Sequence, residues 1–261
     1  MHEQAARALG VRYHYHLIEV AGAGSEELRA LLDGVRRLGF AGVNVTFPYK
    51  EAVVDLLDEL SPGAAAIGAV NTVVVRNHRL VGHNTDTTGF ARAASHLVEG
   101  AGQGAVALIG AGGVGKAIAF ALASLGVAEV RIFDTDRIKA DKLAHLLRPH
   151  GEAVAVNEVE DTVRGAVGVI NATSVGMFPS QGTPVPDALL HDGLWVADVV
   201  YFPLLTPLLT AAKARSARIM TGRALAIYQA ADAFELFTGL SPSTIEMGNA
   251  FDSAIGKLHT T

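Results

Sequence analysis

The chain has 261 residues, a formal net charge of -5, 28 glycines and no cysteine, and half of its residues are hydrophobic. That is enough chain for one large domain or two medium ones, and the mild acidity argues against nucleic acid as a partner. The lack of cysteine excludes a disulfide framework and a thiolate metal site, and no apolar run approaches the roughly 20 residues that span a bilayer, so no membrane partner is expected.

Residues 1–10, MHEQAARALG, predict a polar helix closed by Gly10 rather than a secretion signal, and the default location is the cytoplasm. RYHYHLIEV, residues 12–20, alternates like a strand. SEELRALLDGVRRLG predicts a helix with Ser25 as its N-cap. GVNVTF reads as a buried strand and EAVVDLLDEL as a helix whose apolar face carries Val53, Val54, Leu57 and Leu60. AIGAVNTVVVRNHRLVGHN gives two short strands joined by a polar turn around Asn77, and TDTTGFARAASHLVEG is helical.

At Gly100 the composition shifts, and AGQG reads as a hinge. Beyond it the runs AVALIG, EVRIFD, AVAVN, VGVINAT and LWVADVV alternate with helical stretches, which predicts a parallel sheet covered on both faces. The end of the chain reads as two helices broken at TGLSP that pack back on the first domain. The expected fold class is therefore α/β with two domains and a cleft between them. Residues 1–85 plus 223–261 form an α/β substrate-binding domain, and residues 86–222 a Rossmann-like dinucleotide-binding domain with a parallel sheet.

ALIGAGGVGKAIAFAL places Gly110, Gly112 and Gly115 at G-x-G-x-x-G spacing between an apolar strand and an apolar helix. Glycines allow the tight turn and let a pyrophosphate approach the backbone of Gly110, Ala111, Gly112, Gly113 and Val114, where the helix N-terminus binds phosphate. Asp134 stands roughly 20 residues further on, at the end of the next strand, where an acid accepts hydrogen bonds from the adenosine ribose. A carboxylate there repels a 2′-phosphate, and Thr135 and Asp136 follow it rather than an arginine. The expected cofactor is NAD rather than NADP.

A dinucleotide domain needs a second domain to hold substrate. Asn44, Thr46, Lys50, Asn71, Thr72, Asn84 and Asp86 gather at the ends of the elements expected there. They are hydroxyl readers and a proton-transfer pair rather than an apolar pocket. Lys50 falls near the start of an expected helix, where the dipole disfavours its charge and moves it towards use as a general acid/base. Asp86 is the carboxylate placed to oppose that. None of the ten histidines has the H-E-x-x-H spacing, and no metal site is expected.

NVTFPYK, GAVNT and GHNTDTTGF, followed by GAGGVGKA, NATSVGM and DVVYFPLLTPLL, resemble the shikimate dehydrogenase family in order and over nearly the whole chain. IFDTD is similar to the segment of the NAD-dependent quinate/shikimate dehydrogenases. The resemblance implies oxidation of the C3 hydroxyl of a small polyhydroxylated cyclic carboxylate to the ketone, 3-dehydroshikimate or 3-dehydroquinate. It implies Lys50 as acid/base and Asp86 as the group that holds the same hydroxyl and orients the lysine. Thr46 and Asn71 then bind ring hydroxyls, Gln229 and Tyr201 close over the substrate, and Asn171, Thr173 and the backbone around Gly222 flank the nicotinamide half. An amino-shikimate dehydrogenase, or a non-catalytic NAD-binding remnant, is the alternative.

The family begins with a strand and two carboxylate-binding hydroxyls, and MHEQAARALG matches the family's residues immediately after that segment. The expectation is that the natural protein begins upstream of Met1. The chain as it stands is then poorly stable, weakly active, or a homodimer paired through exposed strand edges.

Overall fold

The computed structural model describes residues 1–20, 22–99 and 104–258, the side chains of 257 and 258 excepted. The expected hinge at AGQG lies almost wholly outside the described residues. The chain divides into two compact units, one of Met1–Thr88 with Ile227–Thr261 and one of Gly89–Ala226.

The first unit runs through α1 (His2–Ala8), α2 (Ser25–Arg37), β1 (Gly42–Asn44), a 3-10 turn at Val54–Leu56, β2 (Glu59–Leu60), α3 (Pro62–Ile67), β3 (Thr72–Arg76) and β4 (Arg79–His83). Its sheet has the order β1-β3-β4-β2, with β3 antiparallel to both β1 and β4 and β2 parallel to β4. Asn77 and His78 both have positive φ, at 50° and 61°. That geometry suits the twist of a tight two-residue hairpin, and asparagine tolerates it. Leu28 and Leu32 of α2 pack with Val53, Ala64, Val70, Val73 and Leu80 to form the core.

Three local expectations fail here. Residues 12–20 form no strand. Alternation supplies side chains for two faces, but a strand also needs a partner backbone, and side chains hold this segment instead. The Tyr15 N–H donates to Glu3 Oε1 at 3.1 Å, its hydroxyl donates to Asn44 Oδ1 at 2.9 Å, and Leu17 stays 75% exposed. EAVVDLLDEL is not an α-helix but turns, a 3-10 turn and the strand β2. Its end is captured by the edge of β4: Asp58 N–H donates to Leu80 O at 3.0 Å, and the N–H of Ser61, the next residue after the run, donates to Gly82 O at 2.8 Å. Ser25 is the first residue of α2 rather than its cap, a position held by Gly24 without a side-chain bond.

The second unit begins within α4 (Thr85–Glu99) and continues through β5 (Ala105–Ile109), α5 (Gly113–Ser124), β6 (Glu129–Phe133), α6 (Arg137–Leu147), β7 (Glu152–Ala155), α7 (Val159–Val163), β8 (Gly168–Asn171), β9 (Trp195–Asp198), α8 (Pro207–Ala214) and β10 (Arg218–Met220). All six strands are parallel in the order β10-β9-β8-β5-β6-β7. The run AVALI of β5 is buried at every position, as a central strand with helices on both faces requires. The chain runs outward from β5 to β6 and β7 and then crosses back to β8 on the other side of β5, so the C-terminal ends of β5 and β8 form a topological switch point. The strand β10 has no counterpart in the sequence reading; RIM is too short to carry a period. Then α9 (Gly222–Thr238) leads back into the first unit, where α10 (Thr244–Leu258) packs on α1.

Candidate active site

In the first unit the register sets Asn44 opposite Thr72 and Thr72 opposite His83, so β1, β3 and β4 deliver their polar residues to one end of the sheet. Backbone bonds then fasten the flanking loops together. Val45 N–H donates to Asn71 O at 2.8 Å, Val70 N–H to Lys50 O at 2.8 Å, and Asn71 N–H to His83 O at 3.1 Å. This brings Lys50 against Asp86, with Nζ 2.5 Å from Oδ2 and side chains 12% and 7% exposed.

The setting of Lys50 differs from the expected one. No α-helix follows it in the chain, and the Asp86 carboxylate in the first turn of α4 is its partner. A charge pair this dry gains from the low local dielectric but tolerates little error in geometry. Asp86 is held in turn by its own N–H, which donates to Asn84 Oδ1 at 3.1 Å, while Asn84 Nδ2 donates to Ala69 O at 3.0 Å.

Asn71 is buried and largely committed. Its Oδ1 accepts from the Thr85 N–H at 2.8 Å and from the Thr72 hydroxyl at 2.9 Å, and its Nδ2 donates to Thr85 Oγ1 at 3.0 Å. Of four hydrogen-bonding positions this leaves one amide N–H for a ligand. Asn44 Nδ2 donates to Thr72 Oγ1 at 3.0 Å and closes the network. Thr46 is exposed, and its carbonyl accepts from the Tyr49 N–H at 2.9 Å. Gln229, half-buried on α9, belongs to the same unit; Tyr201, half exposed, belongs to the other. The sequence reading missed Thr85, whose only signal is its place inside NTD. It also missed Tyr49, whose hydroxyl donates to Val20 O at 3.1 Å and accepts from the Ala23 N–H at 3.0 Å.

In the second unit the glycine loop lies at the switch point. Gly110 has φ 106°, and a Cβ on Gly115 would lie 2.1 Å from Gly110 O, so helix and turn meet at a distance that only glycine allows. Gly112 caps α5 without any side-chain bond, and a Cβ there would meet nothing within 4 Å. An uncapped twelve-residue helix facing open space at the switch point is a fit for a pyrophosphate. Gly113 and Val114 open that helix.

Asp134 follows β6 and accepts from the Ala111 N–H at 2.7 Å and from the Asp136 N–H at 2.8 Å. Each of its oxygens keeps room for one more donor, such as a ribose hydroxyl. Asp136 caps α6 by accepting from the Ile138 N–H at 3.1 Å. Arg137 is engaged by Asp141 at 3.0 Å and by Asn157, not turned to Asp134. Asn171 ends β8, where its Oδ1 accepts from the N–H and hydroxyl of Thr173 at 3.0 and 2.7 Å. Among the described residues no group of three or more acidic, histidine or cysteine side chains converges as a metal site would require, and no helix is long and apolar enough to cross a membrane.

Residues 1–73 match the shikimate dehydrogenase substrate binding domain, and residues 88–147 match the ThiF family. A shikimate dehydrogenase (NADP+) of Streptomyces avermitilis is 44% identical over 254 residues, which cover 95% of this chain and 87% of that protein. A quinate/shikimate dehydrogenase (NAD+) of Corynebacterium glutamicum is 42% identical over 259 residues, 96% of this chain and 92% of that one. Among solved structures, a quinate dehydrogenase from Corynebacterium glutamicum in complex with NAD superposes with a TM-score of 0.89 at 41% identity, covering 97% of this chain and 92% of that one. With a nicotinamide dinucleotide as the cofactor of both relatives, with identity near 40% along almost the full length, and with the same two-unit α/β architecture, the chain belongs to the shikimate dehydrogenase family.

Proposed function

We propose that this protein is an NAD-dependent quinate/shikimate dehydrogenase that interconverts the C3 hydroxyl of a small polyhydroxylated cyclic carboxylate and the corresponding ketone. The observation that carries the reading is the Lys50–Asp86 pair at 2.5 Å, nearly dry and fastened by backbone on three sides.

NAD, when bound, supplies the hydride acceptor. For oxidation Lys50 must act as the neutral amine, which would take the hydroxyl proton as the C–H bond breaks; in the reverse direction its ammonium would return that proton to the carbonyl oxygen. Asp86 Oδ2 holds Nζ, so the carboxylate orients the base towards the substrate hydroxyl. Thr46 and the remaining amide N–H of Asn71 are assigned to the ring hydroxyls, and Gln229 and Tyr201 are assigned as further substrate contacts.

Gly110 to Val114 are assigned to the pyrophosphate, Asp134 to the adenosine ribose, and Asn171, Thr173 and Gly222 to the nicotinamide half. The preference for NAD rests on charge. Asp134 and Asp136 stand side by side, and the nearest arginine in the sequence, Arg137, is engaged elsewhere, so a 2′-phosphate would meet two carboxylates and no clamp. Relatives that use NADP make this a real choice. The deciding experiment measures initial rates with quinate and shikimate, each with NAD and NADP. Turnover with NAD on one or both substrates is expected. Turnover with neither substrate, or a preference for NADP, overturns the reading.

A further inference from the structure

Asp198 ends β9 with 1% of its surface exposed, and three neutral donors hold it. Asn171 Nδ2 donates to Oδ1 at 3.0 Å, the Val200 N–H donates to Oδ1 at 2.9 Å, and the Thr206 hydroxyl donates to Oδ2 at 2.7 Å. A carboxylate is the one side chain of this size that takes three donors on two oxygens with no hydrogen of its own to place. Burying it without a cation has a cost, seen in the rise of its pKa to about 6 through burial. The cost asks for a purpose.

Each donor governs a different piece of backbone at the C-terminal edge of the sheet. Asn171, paired with Asp198 in the β8–β9 register, uses the same Nδ2 to hold Val175 O at 3.0 Å. That orientation leaves its Oδ1 for Thr173. Thr173 then sits against the glycine loop, since a Cβ on Gly110 would lie 2.8 Å from its Cγ2. The bond to Val200 shapes the turn whose Val199 and Val200 carbonyls face Gly222, where a Cβ would lie 2.4 and 2.6 Å from them. The third donor, Thr206, is buried and caps α8 by accepting from the Leu209 N–H at 3.3 Å.

We propose that Asp198 is a positioning residue of the dinucleotide site. Its carboxylate sets, as one unit, the Asn171–Val175 turn against the glycine loop and the Val199–Val200 turn against Gly222. The proposal rests on the assignment of Gly110, Asn171, Thr173 and Gly222 to the cofactor, and Asp198 itself acts only through its neighbours.

The test compares Asp198→Asn, Thr206→Val and Thr206→Ser with the unaltered protein. Dissociation constants for NAD, kcat, separate KM values for NAD and for the polyol acid, and melting temperature are measured. In Asp198→Asn one oxygen becomes an amide, so the Thr206 proton loses its acceptor in a dry site. The NAD dissociation constant and KM are expected to rise about tenfold, the scale of a sub-ångström misplacement of binding groups, with KM for the polyol acid within about twofold. Thr206→Val is expected to move the same way and Thr206→Ser to remain close to the unaltered protein. If the variants lose melting temperature but hold the NAD dissociation constant within about twofold, Asp198 is a structural residue and the proposal falls. If Asp198→Asn does not fold, Thr206→Val decides, because it removes one donor and leaves the carboxylate in place. An unaltered protein that binds no dinucleotide fails at the earlier reading; one that binds it, with variants that bind it equally well, fails only here.

Discussion

The Lys50 ammonium and the Asp86 carboxylate meet at 2.5 Å across a site formed by residues 36 positions apart in the chain. The pair binds the loop after β1 to the first turn of α4, and each charge is the other's main compensation for leaving water.

Replacing Lys50 by alanine is therefore expected to lower kcat by about a hundredfold or more, the usual scale for a positioned acid/base, with a much smaller change in substrate affinity. Asp86→Ala leaves the lysine buried and unpaired, and about 3 kcal/mol of stability should go with it, read from urea denaturation. Asp86→Asn should restore part of the stability but little of kcat, because an amide holds Nζ without its charge. An unchanged kcat in a folded Lys50→Ala protein would leave Lys50 only as the structural ion-pair partner of Asp86.

Legibility in the sequence followed the range of the forces involved. The runs AVALI and GVIN are strands because burial on both faces dictates their composition, EVRIF because its buried Val130 and Ile132 alternate with partly exposed residues, and the glycine loop is legible because close backbone approach at Gly110 and Gly115 leaves no other residue. EAVVDLLDEL failed because its apolar spacing fits a helix, yet the free edge of β4 took Asp58 and Ser61 as hydrogen-bond partners. Val53 is still buried in the core, so the hydrophobic demand was met by another backbone path. The network around Asp198 was hidden for a related reason: one carboxylate after an apolar run carries no period, and its partners lie 27 positions before it and 8 after.

Asp134 joins cofactor choice to loop anchoring, because the oxygen that holds the Ala111 N–H belongs to the charge that repels a 2′-phosphate. Asp134→Asn separates the two. The amide oxygen still accepts from Ala111 while the charge is gone, so kcat/KM for NADP should rise and that for NAD should fall by a few-fold. Asp134→Ala should weaken both dinucleotides, since the loop N–H then lacks its acceptor, a loss of about 1–3 kcal/mol. In the unaltered protein NAD is expected to lead NADP by about tenfold or more in kcat/KM. Steady-state rates of the three proteins with the two cofactors give all six numbers.

Tyr49 precedes Lys50 and ties it to the chain ahead of α2. Its hydroxyl donates to Val20 O and accepts from the Ala23 N–H. Tyr49→Phe keeps the ring and removes both bonds, at an expected cost of about 1–2 kcal/mol. Because the bonds end on a surface segment, that loss should appear as faster amide exchange at residue 23 and neighbouring backbone before any change in the core amides. Uniform protection in the variant would show that the hydroxyl bonds carry no local stability.

The last prediction concerns pH and begins at His2. The residue is 6% exposed, its ring stacked on Tyr15 at 4.5 Å and on Tyr13 at 5.9 Å, with Phe234 and Phe237 tilted against it. Its Nδ1 is buried with no hydrogen-bond partner. Burial, the leading cause, lowers its pKa from the ordinary 6.5 to about 4. Between those values the unfolded chain takes up a proton that the folded one refuses, so unfolding gains as pH falls. The stability His2 supplies is thus complete above about pH 6.5 and lost progressively down to about pH 4, and the gap corresponds to about 3 kcal/mol. His2→Phe retains an aromatic ring in the stack and binds no proton. Urea denaturation at steps of pH should show the unaltered protein losing stability through that window more steeply than the variant, by up to about 3 kcal/mol at the acid end. Parallel curves for the two proteins between pH 4 and 6.5 would mean that His2 titrates normally in the folded state and that α1 opens before the imidazole is protonated.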